Sequence, residues 1–89
     1  MRLEQLTIIL EVARVGSMSQ AAKNLSLSQP SLSTAIASLE KELGLKLFNR
    51  SSRGITPTPS GQEVLDIAQS FFDQMRQLRQ LAPENTRQP

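Results

Sequence analysis

With 89 residues and a formal net charge of +2, this chain has room for one small domain with a limited core, so oligomerisation is a natural source of further burial. It contains neither Cys nor His, which excludes disulfides, thiolate metal sites and imidazole bases and leaves few enzyme mechanisms open. Its aromatic residues are Phe48, Phe71 and Phe72, so the core must be built from Leu, Ile, Val, Ala and Met, a composition that suits helices.

The opening "MRLEQLTIILEVARVGS" breaks its apolar run with Glu4, Glu11 and Arg14, which is not how a signal peptide reads. No segment approaches the ~20 apolar residues that cross a membrane, so a soluble, cytoplasmic chain is expected. Leu3, Leu6, Ile9, Leu10 and Ala13 recur at helical spacing up to Gly16, which predicts a first helix over 3–15. Ser17 or Ser19 can cap a second, two-turn helix that turns Ala21, Ala22 and Leu25 toward a neighbour. After Ser26-Leu27, Ser28 reads as an N-cap and Pro30 falls in a first turn, where its missing N–H is harmless. Leu32, Ile36, Leu39 and Leu43 then define the core stripe of a third helix, and Gly44 sits at its C-cap position.

In "KLFNRSSRGITPTP" the pattern changes to two strand-like pairs, Leu47-Phe48 and Ile55-Thr56, around a turn-forming "RSSRG". A small hairpin is predicted there, with Pro57 and Pro59 confining its pairing to a few residues. Thr58-Pro59 supplies an N-cap and first-turn proline for a fourth helix. Along that helix Val64, Ala68, Phe71, Met75, Leu78 and Ala82 are spaced as a heptad seam, widened by Leu65, Ile67 and Phe72. One flank is expected on the domain body and the other against a second chain, with Val64, Ala68, Phe71, Met75 and Leu78 as the dimer contacts. The predicted organisation is a head over 1–57, a linker helix over 58–82 and a polar, disordered tail over 83–89.

Two short helices joined by a tight connection form a helix-turn-helix, whose second helix enters the major groove in DNA-binding versions. The face of the third helix opposite its core stripe carries Gln29, Pro30, Ser33, Thr34 and Ala37, where a solvated helix would carry Glu and Lys. A glutamine amide matches adenine N6 and N7, Ser and Thr hydroxyls donate or accept, and Thr or Pro carbons can touch a thymine methyl. The charges support this face: 12–39 contains Arg14 and Lys23 without an acid, and 43–62 contains Lys46, Arg50 and Arg53 without one. The residue types alone also suit a protein-docking platform with a helical oligomerisation element. An enzyme built on Ser28 or Ser33 would need Lys23 or Lys41 as its base, and nothing in the pattern places either beside a serine.

The segment "AAKNLSLSQPSLSTAIASLEKELGLKLFNRSSRGITPTPSG" closely resembles the N-terminal DNA-binding domain of LysR-type transcriptional regulators, above all in SQP-x-LS, LE-x-x-LG and LF-x-R. The resemblance implies a mainly α fold: a winged helix-turn-helix, made of a three-helix head and a small β-hairpin wing, followed by a long linker helix. It implies base contacts from Gln29, Pro30, Ser33 and Thr34, with Arg53 of the wing reaching the minor groove or the backbone. Ser19, Ser28, Ser31, Lys46 and Arg50 then fall to the DNA backbone. It also implies a homodimer on double-stranded DNA, and a small-molecule effector bound only by a further C-terminal domain. No cofactor, metal or membrane partner is implied, and localisation would be cytoplasmic, on the nucleoid. The sequence departs from the family pattern at Thr34, where many members have Arg, and at Thr56-Pro57, which is expected to shorten the pairing of the wing.

Overall fold

In a computed structural model, residues 1–82 are described, and the predicted tail at 83–89 lies outside them. Helix α1, Leu3–Val15, buries Ile8, Ile9 and Val12 on one face. Gly16 closes it in the left-handed region, its N–H donating to the Val12 carbonyl at 2.8 Å. Helix α2, Met18–Leu25, is capped by Ser17, whose Oγ accepts the Gln20 N–H at 3.2 Å. Of the two predicted caps, Ser17 takes the position, and Ser19 stands in the first turn with its hydroxyl 3.2 Å from that of Ser17.

The connection to the next helix turns sharply at Ser26, which has φ 56° and ψ 42°. A left-handed serine costs about 1–2 kcal/mol. Two backbone bonds offset it, Ser26 N–H to Lys23 O at 3.1 Å and Leu27 N–H to Ala22 O at 2.9 Å. Helix α3, Gln29–Leu43, follows at once, with Ser28 Oγ accepting the Ser31 N–H at 3.1 Å and Pro30 in the first turn. Its stripe of Leu32, Ile36 and Leu39 is buried against α1 and α2. Truncating a buried leucine of this kind to alanine costs about 2–5 kcal/mol.

Strands β1, Phe48–Ser51, and β2, Gly54–Pro57, form one antiparallel hairpin with Phe48 opposite Pro57 and Ser51 opposite Gly54. The pairing is longer than the sequence suggests. Arg50 and Ser51 belong to the strand and only Ser52 and Arg53 form the tip, because Gly54, at φ 122°, supplies the left-handed conformation that closes so short a loop. At the other end Thr56 pairs with Asn49, and Pro57, opposite Phe48, ends the strand where no further N–H is needed. Near its tip the hairpin is sewn to the α1–α2 turn, with Ile55 N–H donating to Gly16 O at 3.3 Å. A Cβ on Gly54 would lie 2.6 Å from that same carbonyl oxygen.

Helix α4, Pro59–Leu81, starts with Thr58 as its N-cap, the Thr58 Oγ1 accepting the Gly61 N–H at 2.8 Å. Gly61 packs so tightly on the chain before β1 that a Cβ there would fall 2.0 Å from the Leu47 carbonyl oxygen. The start of α4 is thereby fixed to the root of the wing. Leu65 and Ala68 are buried against the head, joining the core formed by α1, α2, α3 and the hairpin. The second half of α4 extends beyond that core, and Leu78 and Leu81 are exposed there.

Candidate nucleic-acid interface

Capping at Ser28 sets the first turn of α3 at the surface and the core stripe sets its rotation. Gln29, Pro30, Ser31, Thr34 and Ala37 are consequently exposed. Ser33 is half-buried because the wing leans on it: Arg50 Nη2 donates to Ser33 Oγ at 3.4 Å. Ser28 Oγ also donates to Ser31 Oγ at 2.9 Å, so the hydroxyl proton of Ser28 is engaged while that of Ser31 remains available to an outside acceptor.

The residues singled out by sequence are distributed over three surfaces that meet at α3. Ser19, Gln29, Arg50 and Arg53 line one groove between the start of α2 and the wing. Ser33, Ala37, Lys46 and Arg50 line a second between α3 and β1. Pro30, Ser31 and Thr34 face a third, on the α1 side. Thr34 is thus separated from the wing arginines.

Charge pairing divides the basic residues into two sets. Arg2, Arg14 and Arg76 pair with Glu4, Glu11 and Asp73. Among the described residues no carboxylate pairs with Lys23, Lys41, Lys46, Arg50, Arg53 or Arg79, and of these Lys46, Arg50 and Arg53 line the grooves beside α3. Unpaired cations flanking a neutral, amide- and hydroxyl-bearing helix face are what a polyanion with readable base edges requires. No group of acids among the described residues is placed to hold a metal.

Two acidic residues shape this surface, Glu40 from within the groove between α3 and β1 and Glu11 from outside it, and sequence reasoning gave neither a role. Glu40 Oε2 accepts the Leu47 N–H at 2.7 Å, tying the end of α3 to the root of the wing. The tie sets the distance between the helix face and the wing cations. Glu11 accepts from Arg14 at 2.6 Å and from Asn24 Nδ2 at 2.7 Å, clipping α2 to α1. The Arg14 hydrogen bond, then that of Asn24, lowers its pKa to about 2. Glu40 was legible as the lone acid of LE-x-x-LG, but its backbone partner lies seven residues on, across a turn that periodicity does not describe.

On α4 the predicted seam splits. Ala68 is 2% exposed and packs on the head with Leu65, whereas Ile67 is 71% exposed. The apolar residues left at the surface are Phe71, Leu78 and Leu81 with Ile67, and half-buried Val64 and Met75 adjoin them. Heptad spacing fits either stripe, and it is the anchoring of Gly61 on Leu47 that rotates Ala68 inward. With Leu3, Leu6 and Leu43, the Val64, Ile67 and Phe71 side chains line an apolar groove between α1 and α4. No helix among the described residues is long and apolar enough to cross a membrane.

Known proteins share both sequence and geometry with this chain. Its residues 3–62 match the family described as bacterial regulatory helix-turn-helix protein, lysR family. It is 36% identical over its whole length to the HTH-type transcriptional regulator AdmX of Serratia plymuthica, of which it spans 29%. It is 38% identical over 99% of its length to the nitrogen assimilation regulatory protein nac of Klebsiella aerogenes, of which it spans 28%. The chain therefore covers less than a third of these curated relatives, which are transcriptional regulators. Among solved structures, the CbnR_DBD-DNA complex superposes with a TM-score of 0.83 at 35% identity, covering 90% of this chain and 92% of that one. The BenM_DBD/catB site 1 DNA complex gives 0.84 at 33% identity, covering 91% and 87%. The fold is that of their winged helix-turn-helix domains, and this chain belongs to the lysR family of bacterial regulatory helix-turn-helix proteins.

Proposed function

We propose that the chain binds double-stranded DNA sequence-specifically as a homodimer, one α3 in the major groove of each half of an interrupted inverted repeat. The observation that carries this reading is the placement of unpaired Lys46, Arg50 and Arg53 around the face bearing Gln29, Pro30, Ser33 and Thr34. Lys46, Arg50 and the hydroxyls of Ser19, Ser28 and Ser31 anchor phosphates. Gln29, Pro30, Ser33 and Thr34 meet base edges, and Arg53 at the wing tip enters the minor groove.

A head with few cations binds non-specific DNA at roughly 10⁻⁴ to 10⁻⁶ M, so the second head matters. Linking two heads raises avidity by about 10² to 10⁴. The 23 residues of α4 make a rod of about 35 Å, which matches the ~34 Å between half-sites one turn apart. The apolar face of Val64, Ile67, Phe71, Met75 and Leu78 provides the contact between copies. In the longer regulator, a C-terminal domain holds the small-molecule effector, and the assembled protein works in the cytoplasm on the nucleoid.

The test is selection of this chain on a pool of random duplexes at two salt concentrations. Enrichment of an inverted repeat, with affinity falling as salt rises, supports a base-reading dimer. A salt-sensitive background without enrichment means that the Gln29 face does not read bases, and favours the docking-platform reading instead.

A further inference from the structure

The cleft on the α1 side of α3 is walled by Pro30, Ser31 and Thr34 on one side and by Arg2, Glu4 and Gln5 on the other. Gln5 is buried, and its Oε1 accepts the Arg2 backbone N–H at 2.8 Å, which fixes the point from which the Arg2 side chain departs. The guanidinium stands exposed at the rim and pairs with the Glu4 carboxylate at 3.3 Å.

A helix in the major groove lies between two sugar-phosphate backbones, so phosphates pass along both of its flanks. The wing flank of α3 offers Lys46 and Arg50 without carboxylate partners among the described residues. On the opposite flank the charges of Arg2 and Glu4 cancel, and Thr34 between them and the groove is neutral. We propose that Arg2 is a phosphate contact on this second flank and that Glu4 masks it, so the Arg2–Glu4 pair sets how tightly the head holds any duplex. The proposal rests on the reading of α3 as the helix that enters the groove.

The exchange is physically easy. An exposed ion pair is weak, because water screens it and two long side chains must be held in one geometry. A phosphate offers Arg2 a charge-assisted, two-pronged contact, and the counterion it releases adds to the gain. Glu4, left beside the backbone, then opposes binding by repulsion, which is why its removal is expected to help.

Wild type, Arg2→Gln, Glu4→Gln and the double variant are compared on a selected and a random duplex over a range of salt, with sedimentation to confirm the same oligomeric state. Glutamine at position 2 keeps most of the apolar stem and removes the charge. Arg2→Gln is expected to weaken both duplexes several-fold and to reduce the salt slope by about one. Glu4→Gln is expected to tighten both by about two- to fivefold, and to lose most of that effect when Arg2 is absent. Two results overturn the proposal while leaving DNA binding intact: an unchanged slope in Arg2→Gln, or a Glu4→Gln gain of equal size with and without Arg2. A wild-type chain that binds no duplex overturns the DNA-binding reading itself.

Discussion

The guanidinium of Arg50 on β1 donates to the hydroxyl of Ser33 on α3 across 3.4 Å, so the wing and the exposed helix face share a polar contact in the chain alone. At that length, on the surface, the bond exchanges for a phosphate at little cost. On the proposed reading of α3, Arg50 is then expected to turn to the DNA backbone and the Ser33 hydroxyl to a base edge. Arg50→Ala is expected to weaken selected and random duplexes alike and to reduce the salt slope by about one, whereas Ser33→Ala reduces discrimination at nearly constant slope. Isotherms at several salt concentrations separate the two. Matching slope changes in both variants would contradict this division of labour.

Gln29, exposed at the start of α3 and sharing a groove with Arg50 and Arg53, is the side chain best suited to a bidentate contact with adenine. Gln29→Ala is expected to lose about 1–3 kcal/mol on the preferred duplex and to relax selection at one base pair. The measurement is a repeat of the random-pool selection with the variant. Equal weakening on selected and random DNA would assign Gln29 to the backbone.

The division of α4 between head and seam gives opposite outcomes for neighbouring substitutions. Ile67 and Phe71 are exposed in the single chain, so Ile67→Asp or Phe71→Asp is expected to leave the head folded, produce a monomer and abolish operator binding. Ala68→Asp places a carboxylate against the head core and is expected to cost several kcal/mol of stability. Thermal melting with sedimentation reads both. An Ile67→Asp chain that remains dimeric, or an Ala68→Asp chain that melts like wild type, would reverse the assignment of the two stripes.

The helices were legible because their ends carry explicit signals: Ser28 with Pro30, Thr58 with Pro59, and Gly16 and Gly44 just past the last apolar turn. The base-contact candidates followed from the same logic, since fixing Leu32, Ile36 and Leu39 inward fixes Gln29 and Thr34 outward. What the chain order concealed depends on contacts between distant backbones. The wing pairs as far as Ser51 and Gly54 because Gly54 fits against Gly16, and Ala68 turns inward because Gly61 fits against Leu47. Neither relation leaves a periodic trace. The Glu40 bond to Leu47 N–H is of the same kind, a single side chain reaching a backbone group beyond a turn.

Glu11 makes the pH response of the head specific. Its carboxyl is held down to about 2 by the Arg14 hydrogen bond and then by that of Asn24, well below the ordinary value of 4.5. A group whose pKa falls on folding stabilises the folded state above its unfolded pKa, and that contribution is lost as pH falls through the folded one. The clip of α2 to α1 should therefore stand in full above about pH 5 and be lost toward pH 2. Glu11→Gln keeps an acceptor for Asn24 but removes the charge. It is expected to be less stable than wild type at neutral pH, with the difference closing between pH 4.5 and 2. Urea unfolding of both chains at pH 7, 4 and 2.5 measures that gap. A gap of constant size across the series, or a Glu11 carboxyl that titrates near 4.5 by NMR, would show that the Arg14–Glu11–Asn24 bridge does not hold α2 in place.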